Sequence, residues 1–246
     1  MNLEPQNKDT LKNEIKKAKI SPKANPASSY DFIISPDKIT LVLFLIILFL
    51  LFASLASVLF RHFYQNSEWM SLYLRLFNLD KEANIPTFFS SFLLLFASLL
   101  LWLVGRIENI NKGYWRLLSI VFFYLSIDET AQLHEMLIEL KPRIEWLNKF
   151  TMTNVWVFPY LILVILLAIG LARFIFSLSG KTRNLFILSG IIYVGGALGL
   201  EVLEEQLRIL NGGHPYLTLT LLYHLEEVCE MSGVTIFIYA LLNYLA

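Results

Sequence analysis

The chain has 246 residues, of which 56% are hydrophobic and only 16% are charged, and its mean hydropathy is +0.58. This composition excludes an ordinary soluble domain and indicates an integral membrane protein embedded in a lipid bilayer. The formal net charge is zero, and the single cysteine, Cys229, excludes an intramolecular disulfide or a metal site built from several thiolates.

The first 38 residues form a polar leader with seven Lys, five acidic residues and four Pro. Such a segment cannot bury enough apolar surface to offset the entropy lost on ordering, so residues 1–38 are predicted to be a disordered tail. Apolar runs begin at about residue 39 and recur to the end of the sequence. Residues 39–246 are therefore predicted to form one transmembrane helical domain.

Six apolar runs reach the length of about twenty residues that a helix needs to cross a bilayer. The predicted fold class is all-α, a polytopic transmembrane helix bundle of about six spans. A further segment, SEWMSLYLRLFNLD, has apolar residues at helical spacing and is predicted to be one helix lying along the membrane interface. The six spans are predicted at residues 39–61, 86–106, 114–140, 152–177, 184–209 and 216–244.

The Lys and Arg residues predict the orientation of these spans. If the N-terminus is cytoplasmic, thirteen of the twenty basic residues lie on the cytoplasmic side, in the tail and in the loops 106–116 and 173–183. The positive-inside rule then places both termini in the cytoplasm, and a bacterial inner (plasma) membrane is the expected location. All five tryptophans fall near span ends, where an aromatic belt is expected: Trp69, Trp102, Trp115, Trp146 and Trp156.

Carboxyl groups accumulate in the outer halves of the third, fifth and sixth predicted spans. In the predicted topology Asp128, Glu201 and Glu227 lie roughly 12 to 20 Å from the outer ends of their helices, at 1.5 Å per residue. Nine carboxyl groups fall within these spans away from the span ends, and Arg208 is the only fixed cation at their level. Each carboxylate at mid-membrane costs about 2.5 to 3.5 kcal/mol, so compensation by a metal, shared protons, water or a basic partner is expected.

Oxygen-rich sites with one or two imidazoles suit iron, manganese or zinc, and helix bundles build such centres from Glu and Glu-x-x-His motifs. The sixth span contains HLEEVCE, which presents His-x-x-Glu on one helix face. Glu82, before the second span, is interpreted as a helix-start residue and not as a ligand. We therefore predict a divalent metal site formed by Asp128, His134, Glu135, Glu201, Glu205, His224, Glu227 and Glu230.

Three segments, LDKEANIPTFFSS, LSIDETAQLHE and LEEVCEMSG, resemble an uncharacterised family of multi-pass bacterial membrane proteins. The resemblance covers residues 60–240, implies a membrane location, and supplies neither a reaction nor a substrate. The HxxxH pair of the alkaline ceramidases and the histidine boxes of the desaturases do not occur in the sequence. No nucleotide-binding or nucleic-acid-binding motif is present either.

Three functions are compatible with these patterns. The leading hypothesis is a metal-binding membrane protein, whose more specific form is a metalloenzyme acting on a lipophilic substrate. The second is a component of proton or cation transport, although the inner halves of the acidic spans are nearly apolar. The third is a structural protein whose acids contact a partner. The sequence does not decide among an enzyme, a transporter and a structural role, nor does it give the metal or the oligomeric state.

Overall fold

A computed structural model describes residues 35–64, 67–145, 149, 153–210 and 217–246, apart from the side chain of His62. The predicted tail falls almost entirely outside these residues, so its disorder stays a prediction. Residues 35–246 form one compact unit. Within the described ranges the regular structure is helical and contains no strand.

Nine α-helices occur in the described chain, together with a short 3₁₀ turn at Lys141–Arg143. The helices are α1 (Pro36–Phe63), α2 (Glu68–Phe77), α3 (Ile85–Ile107), α4 (Lys112–Ala131), α5 (Met136–Leu140), α6 (Val157–Ser177), α7 (Gly180–Val194), α8 (Glu201–Leu210) and α9 (Leu217–Leu245). A π-helical segment, Gly195–Leu200, joins α7 to α8, so these two helices form one continuous rod.

Five helical segments in the described chain are long and apolar enough to cross a bilayer, namely α1, α3, α6, the α7–α8 rod and α9. The prediction of an all-α protein with several membrane-length helices is thereby confirmed. The third predicted span corresponds to α4, which has 20 residues and is not among the five. The charged residues Lys112, Arg116, Asp128 and Glu129 make α4 less apolar than the other long helices. The segment predicted to lie along the interface forms α2.

The third predicted span was expected to continue to residue 140, and the structure shows that it ends earlier. Gln132 adopts a left-handed backbone conformation with φ of 56°, and the chain turns there before α5 begins. The Asp128 carboxylate stabilises this turn, because its Oδ1 accepts a hydrogen bond from the His134 backbone N–H at 2.9 Å. A side chain that hydrogen-bonds to nearby backbone competes with the helix in this way.

Serine pairs fix α3 against α4. Ser91 lies opposite Ser126, with their hydroxyl oxygens 3.0 Å apart, and Ser98 lies opposite Ser119 at 3.3 Å. Each serine also donates to the backbone carbonyl of its partner. Small residues allow close approach of helices, and their hydroxyls add interhelical hydrogen bonds within a membrane. Asp128 lies two residues beyond Ser126, so this packing fixes the position of Asp128 along the bundle axis relative to α3.

Glycines bring α9 close to the α7–α8 rod. A Cβ atom on Gly233 would lie 2.8 Å from the backbone nitrogen of Tyr193, and one on Gly196 would lie 2.9 Å from Cβ of Cys229. Both distances are shorter than van der Waals contact, so only glycine permits this separation of the helices. The contact places the acidic stretch of α9 beside the start of α8.

Trp115, at the start of α4, lies in the core and not in an exposed aromatic belt. Its side chain is 1% exposed, and its ring centroid is 4.9 Å from that of Phe174, 6.0 Å from Phe186 and 5.1 Å from Tyr244. These partners lie at the end of α6, the start of α7 and the end of α9. Four helix ends therefore meet around Trp115, whereas Trp69 on α2 is 82% exposed.

Candidate functional site

A cavity of about 650 Å³ lies at the opposite end of the bundle from Trp115. It is bounded by the segment before α3, the end of α4, the starts of α6 and α9, and the π-helical segment with α8. Among the described residues on its wall, only His134 and Arg208 are basic. The carboxyl groups on the wall belong to Asp80, Glu82, Asp128, Glu129, Glu135, Glu201, Glu204, Glu226, Glu227 and Glu230.

Six of the eight predicted site residues line this cavity: Asp128, His134, Glu135, Glu201, Glu227 and Glu230. The structure places the other two outside it. The buried Glu205 accepts a hydrogen bond on Oε1 from the Thr153 backbone N–H at 2.6 Å, and its Oε2 lies 3.6 Å from the Arg208 guanidinium. These contacts secure the segment before α6 to α8.

His224 faces α1 and not the carboxyl groups. Its Nδ1 lies 2.6 Å from the Thr220 carbonyl oxygen, and its Nε2 lies 2.9 Å from Oγ of Ser54. Because a carbonyl oxygen can only accept, Nδ1 carries the proton, and Nε2 accepts from the Ser54 hydroxyl. The Ser54 oxygen in turn accepts from the Leu79 backbone N–H at 3.0 Å. His224 therefore anchors the chain just before Glu82.

The cavity brings together three residues that we name the histidine cluster: Glu82, His134 and Glu135. Each offers one potential ligand atom, and these atoms all lie within 4.8 Å of one another. His134 Nε2 is 3.6 Å from Oε1 of Glu82. Glu82 Oε2 is buried and has no hydrogen-bond partner among the described residues. An unpartnered buried carboxylate oxygen is costly, which favours a ligand at this point.

Asp128 orients the imidazole of His134. Its Oδ2 lies 3.4 Å from His134 Nδ1, and its Oδ1 accepts from the His134 backbone N–H. The Tyr160 hydroxyl donates to Oδ2 at 2.9 Å, and the Trp156 ring packs 4.8 Å from the imidazole centroid. The ring is therefore held from two sides, with Nδ1 toward Asp128 and Nε2 toward Glu82.

His134 lies in the turn beyond α4, and its charge state depends on these neighbours. Burial lowers the pKa of the imidazole, but the adjacent carboxylates of Asp128 and Glu82 outweigh burial and raise the pKa to about 10. The pKa of Glu135 in the same turn is raised by burial and by the negative charge of Glu82. Without a metal, His134 is thus an imidazolium held between two carboxylates.

Glu82 is the residue that sequence reasoning assigned only to a helix start. Helix α3 does begin shortly after it, capped by Asn84, whose side-chain oxygen accepts from the Thr87 N–H at 3.1 Å. The Asn84 side-chain nitrogen donates to the Asn78 and Lys81 carbonyls at 2.7 Å each. The cap thus folds the preceding loop back toward the cavity. In LDKEANIP, an acid two residues before the capping asparagine was the only available sign that Glu82 lies close to the start of α3. The turn after α4, which brings His134 to Glu82, was not predictable.

A second group of acids, which we name the carboxyl set, continues along the cavity wall. Glu201 of α8 and Glu226 of α9 both lie on this wall. The Asn154 side-chain amide donates to Glu201, and Glu129, Glu227 and Glu230 lie on the same wall. Arg208 pairs with Glu204 at 2.6 Å instead. The carboxyl set comprises Glu129, Glu201, Glu226, Glu227 and Glu230.

A family model described as a domain of unknown function (DUF8692) matches residues 40–245. The chain belongs to this family. The match confirms the prediction of an uncharacterised family and extends over nearly all of the proposed helical domain. No curated protein matches the chain, and no solved structure matches it either.

Proposed function

We propose that this protein crosses the membrane six times, with α4 as the third span and both termini in the cytoplasm. A connection of four residues, 108–111, joins α3 to α4, and the serine pairs hold the two helices side by side. If α3 crosses the bilayer, α4 returns across it. The count of basic residues then puts the cavity at the non-cytoplasmic side.

We further propose that the histidine cluster binds a divalent metal ion. The observation that carries this proposal is the convergence of Glu82, His134 and Glu135 within 4.8 Å, with one buried oxygen of Glu82 lacking a partner. Zinc sites hold nitrogen and oxygen ligands at about 2.0 to 2.2 Å, which modest side-chain rotation would reach. Two carboxylates and one imidazole also suit iron or manganese.

The surroundings of His134 resemble the outer partners of metal-binding histidines. Such histidines commonly direct the nitrogen that does not bind the metal toward a carboxylate, which fixes the tautomer and the ring orientation. Asp128 occupies that position toward Nδ1, and this leaves Nε2 for the metal. The sequence analysis predicted Asp128 as a metal ligand. Here we propose instead that Asp128 positions His134 and does not bind the metal.

Three protein ligands are the number that catalytic metal sites typically provide, with a further position open to water or substrate. The cavity beside the histidine cluster supplies space for such a substrate. A metalloenzyme acting on a lipophilic molecule is therefore the more specific form of the proposal. The carboxyl set next to the cluster offers groups that can accept or release a proton.

Metal titration of purified protein tests the proposal. The protein is stripped with a chelator in mild detergent, and binding of Mn²⁺, Fe²⁺ and Zn²⁺ is measured by calorimetry together with elemental analysis. Loss of an outer carboxylate typically weakens metal binding about 10- to 100-fold, which we expect for Asp128→Asn. Glu82→Gln and His134→Gln remove a ligand, so their affinity should fall by at least as much.

Glu139→Gln is the matched control, because Glu139 is exposed on α5, only four residues beyond Glu135. It should retain the parent affinity. Absence of stoichiometric metal in the parent protein, or equal affinities in Glu82→Gln and Glu139→Gln, would contradict the proposal. The imidazolium of His134 would then be a fixed countercharge for its acidic neighbours.

A further inference from the structure

The cavity has an apolar part as well as an acidic one. Beyond the carboxyl groups its wall is formed by aliphatic side chains of α4, α6 and α7. Along α4 the lining extends from Asp128 back to Ile120, eight residues, which corresponds to about 12 Å at 1.5 Å per residue. On α6 the aliphatic lining residues are Leu163, Val164 and Leu167. The cavity is therefore amphipathic along its length.

Helix α6 flanks this apolar part. Val164 and Leu167 line the cavity and are half-buried, whereas Ile162, Ile165 and Leu166 are exposed on the same helix. Leu163 lines the cavity and is also 51% exposed. In a bilayer these exposed side chains contact lipid tails. Because Ile120 of α4 and Leu163 of α6 line the cavity and are also exposed, an alkyl chain can reach the cavity from the lipid phase between these two helices.

The charge of the acidic part selects among amphiphiles. His134 is surrounded by the carboxylates of Asp128 and Glu82, and Arg208 is paired with Glu204. Among the described residues on the cavity wall, no further basic side chain faces the carboxyl set. A phosphate or carboxylate headgroup would be repelled there. An ammonium headgroup would instead donate hydrogen bonds to several carboxyl oxygens and balance their negative charge.

We propose that the cavity binds an amphiphilic amine, with its ammonium group at the carboxyl set and its alkyl chain between α4 and α6. The role of this amine as the substrate of the site rests on the proposed function, but its binding does not require the metal. The ligand is a primary alkylamine with one chain, and its ammonium group lies beside Glu227 and Glu230.

Binding to metal-free protein in nanodiscs of phosphatidylcholine tests this inference. Radiolabelled octylamine is the probe, and butylamine, dodecylamine, octanol and octanoate are competitors at known free aqueous concentrations. Each methylene buried in the apolar part should tighten binding about fourfold until the available length is filled. Octanol and octanoate should compete at least about tenfold more weakly than octylamine, because neither carries a positive charge.

Two substitutions on α6 separate the cavity from simple partition into lipid. Val164→Trp fills the apolar part and should weaken octylamine binding by about tenfold or more, whereas Ile165→Trp changes the lipid-facing surface and should leave binding as it is. Glu227→Gln together with Glu230→Gln should remove the preference for octylamine over octanol. Equal binding by Val164→Trp and Ile165→Trp, or competition by octanol equal to that by octylamine, would overturn the inference.

The metal experiment and the amine experiment test two separate proposals, and either proposal can be wrong without the other. Glu82→Gln should lose metal affinity and keep the preference for octylamine over octanol, since the ammonium group is placed beside Glu227 and Glu230 and not beside Glu82. Octylamine binding by a protein that holds no metal would contradict only the proposed function. Metal binding without any preference for amines would contradict only the present inference.

Discussion

At the end of the bundle where α4 begins, aromatic side chains from four helices fill the core around Trp115. At the end where α4 finishes, carboxyl groups from three helices and two loops surround a cavity. The same helices build both ends, so the difference lies in the side chains and not in the fold. The aromatic end buries apolar surface at high packing density, whereas the acidic end leaves space and concentrates charge.

This contrast indicates that one end of the bundle provides stability and the other provides the binding site. Close packing, as around Trp115, provides stability and a fixed framework. Carboxyl groups within a membrane are unfavourable and mark functional positions. A protein can tolerate such a cluster only if other regions stabilise the structure. We therefore expect substitutions at the aromatic end to change stability, and substitutions at the acidic end to change ligand binding.

The largest effect should come from Trp115→Ala. Replacement of a buried Trp by Ala typically lowers the free energy of unfolding by about 3 to 5 kcal/mol. The lower end, about 3 kcal/mol, is expected here because lipid tails can also solvate an apolar side chain. Thermal unfolding in detergent measures the loss. Trp69→Ala, at the exposed Trp69 of α2, is the control and should remain within about 0.5 kcal/mol of the parent.

The metal affinity of folded Trp115→Ala should equal that of the parent protein, because the histidine cluster lies at the other end. A fall in affinity comparable to that of Glu82→Gln would show that the two ends are coupled. The division between a stabilising end and a binding end would then be wrong.

The second effect concerns pH and the histidine cluster. The pKa of His134 is raised from 6.5 to about 10 in the folded protein. Its stabilising contribution is therefore complete below pH 6.5 and is lost as pH rises through about 10. Its side chain is only 16% exposed, and with allowance for solvent screening the loss should be about 2 kcal/mol in metal-free protein.

Chemical unfolding of chelator-treated protein between pH 7 and 10 measures this loss. His134→Gln cannot titrate, so the difference in stability between it and the parent should shrink steadily as the pH rises. A difference that stays constant across this range would show that His134 is already neutral at pH 7.

The third effect lies at the contact between α7 and α9, midway between the two ends. Gly233→Ala places a Cβ atom 2.8 Å from the Tyr193 backbone nitrogen, so the two helices must separate. Overpacking of this kind typically costs about 1 to 3 kcal/mol, and we expect about 1.5 kcal/mol by thermal unfolding. Because Tyr193 lines the cavity, octylamine affinity should fall as well.

Gly190→Ala is the matched control on α7, since a Cβ atom there meets nothing within 4 Å. It should be neutral or stabilise the helix by up to about 1 kcal/mol. If Gly233→Ala behaves in the same way, then α7 and α9 are not held at the separation seen in the structure.

Hydropathy and helical spacing were sufficient to predict an all-helical protein and the approximate bounds of most long helices. The end of α4 was not predictable, because Asp128 forms hydrogen bonds to the following turn and thereby stops a helix that periodicity would continue. The position of Trp115 was missed for a related reason. A tryptophan near a helix end fits either an interface or a core, and only the packing of neighbouring helices decides which.

The candidate site was predicted in part. The acidic residues of three helices were expected at one depth, and six of the eight predicted residues do line one cavity. Glu82 was missed because a loop position depends on hydrogen bonds of Asn84 that no periodicity encodes. His224 was included because it shares a helix with Glu227. Its rotation toward Ser54 depends on packing against α1, which the sequence does not reveal.

The smallest effect should come from this last residue, and it separates a ligand from an anchoring group. His224 and Ser54 connect α9 and α1 to the Leu79 backbone, upstream of Glu82. Loss of one such hydrogen bond costs about 1 kcal/mol, so Ser54→Ala and His224→Ala should each lower stability by about that amount. The double variant should lose less than the sum, because both changes remove the same contact. Metal bound per folded protein should stay at the parent level in all three, as measured by elemental analysis. A His224→Ala protein of unchanged stability that has lost its metal would identify His224 as a ligand, and would require α9 to rotate relative to α1 when metal binds.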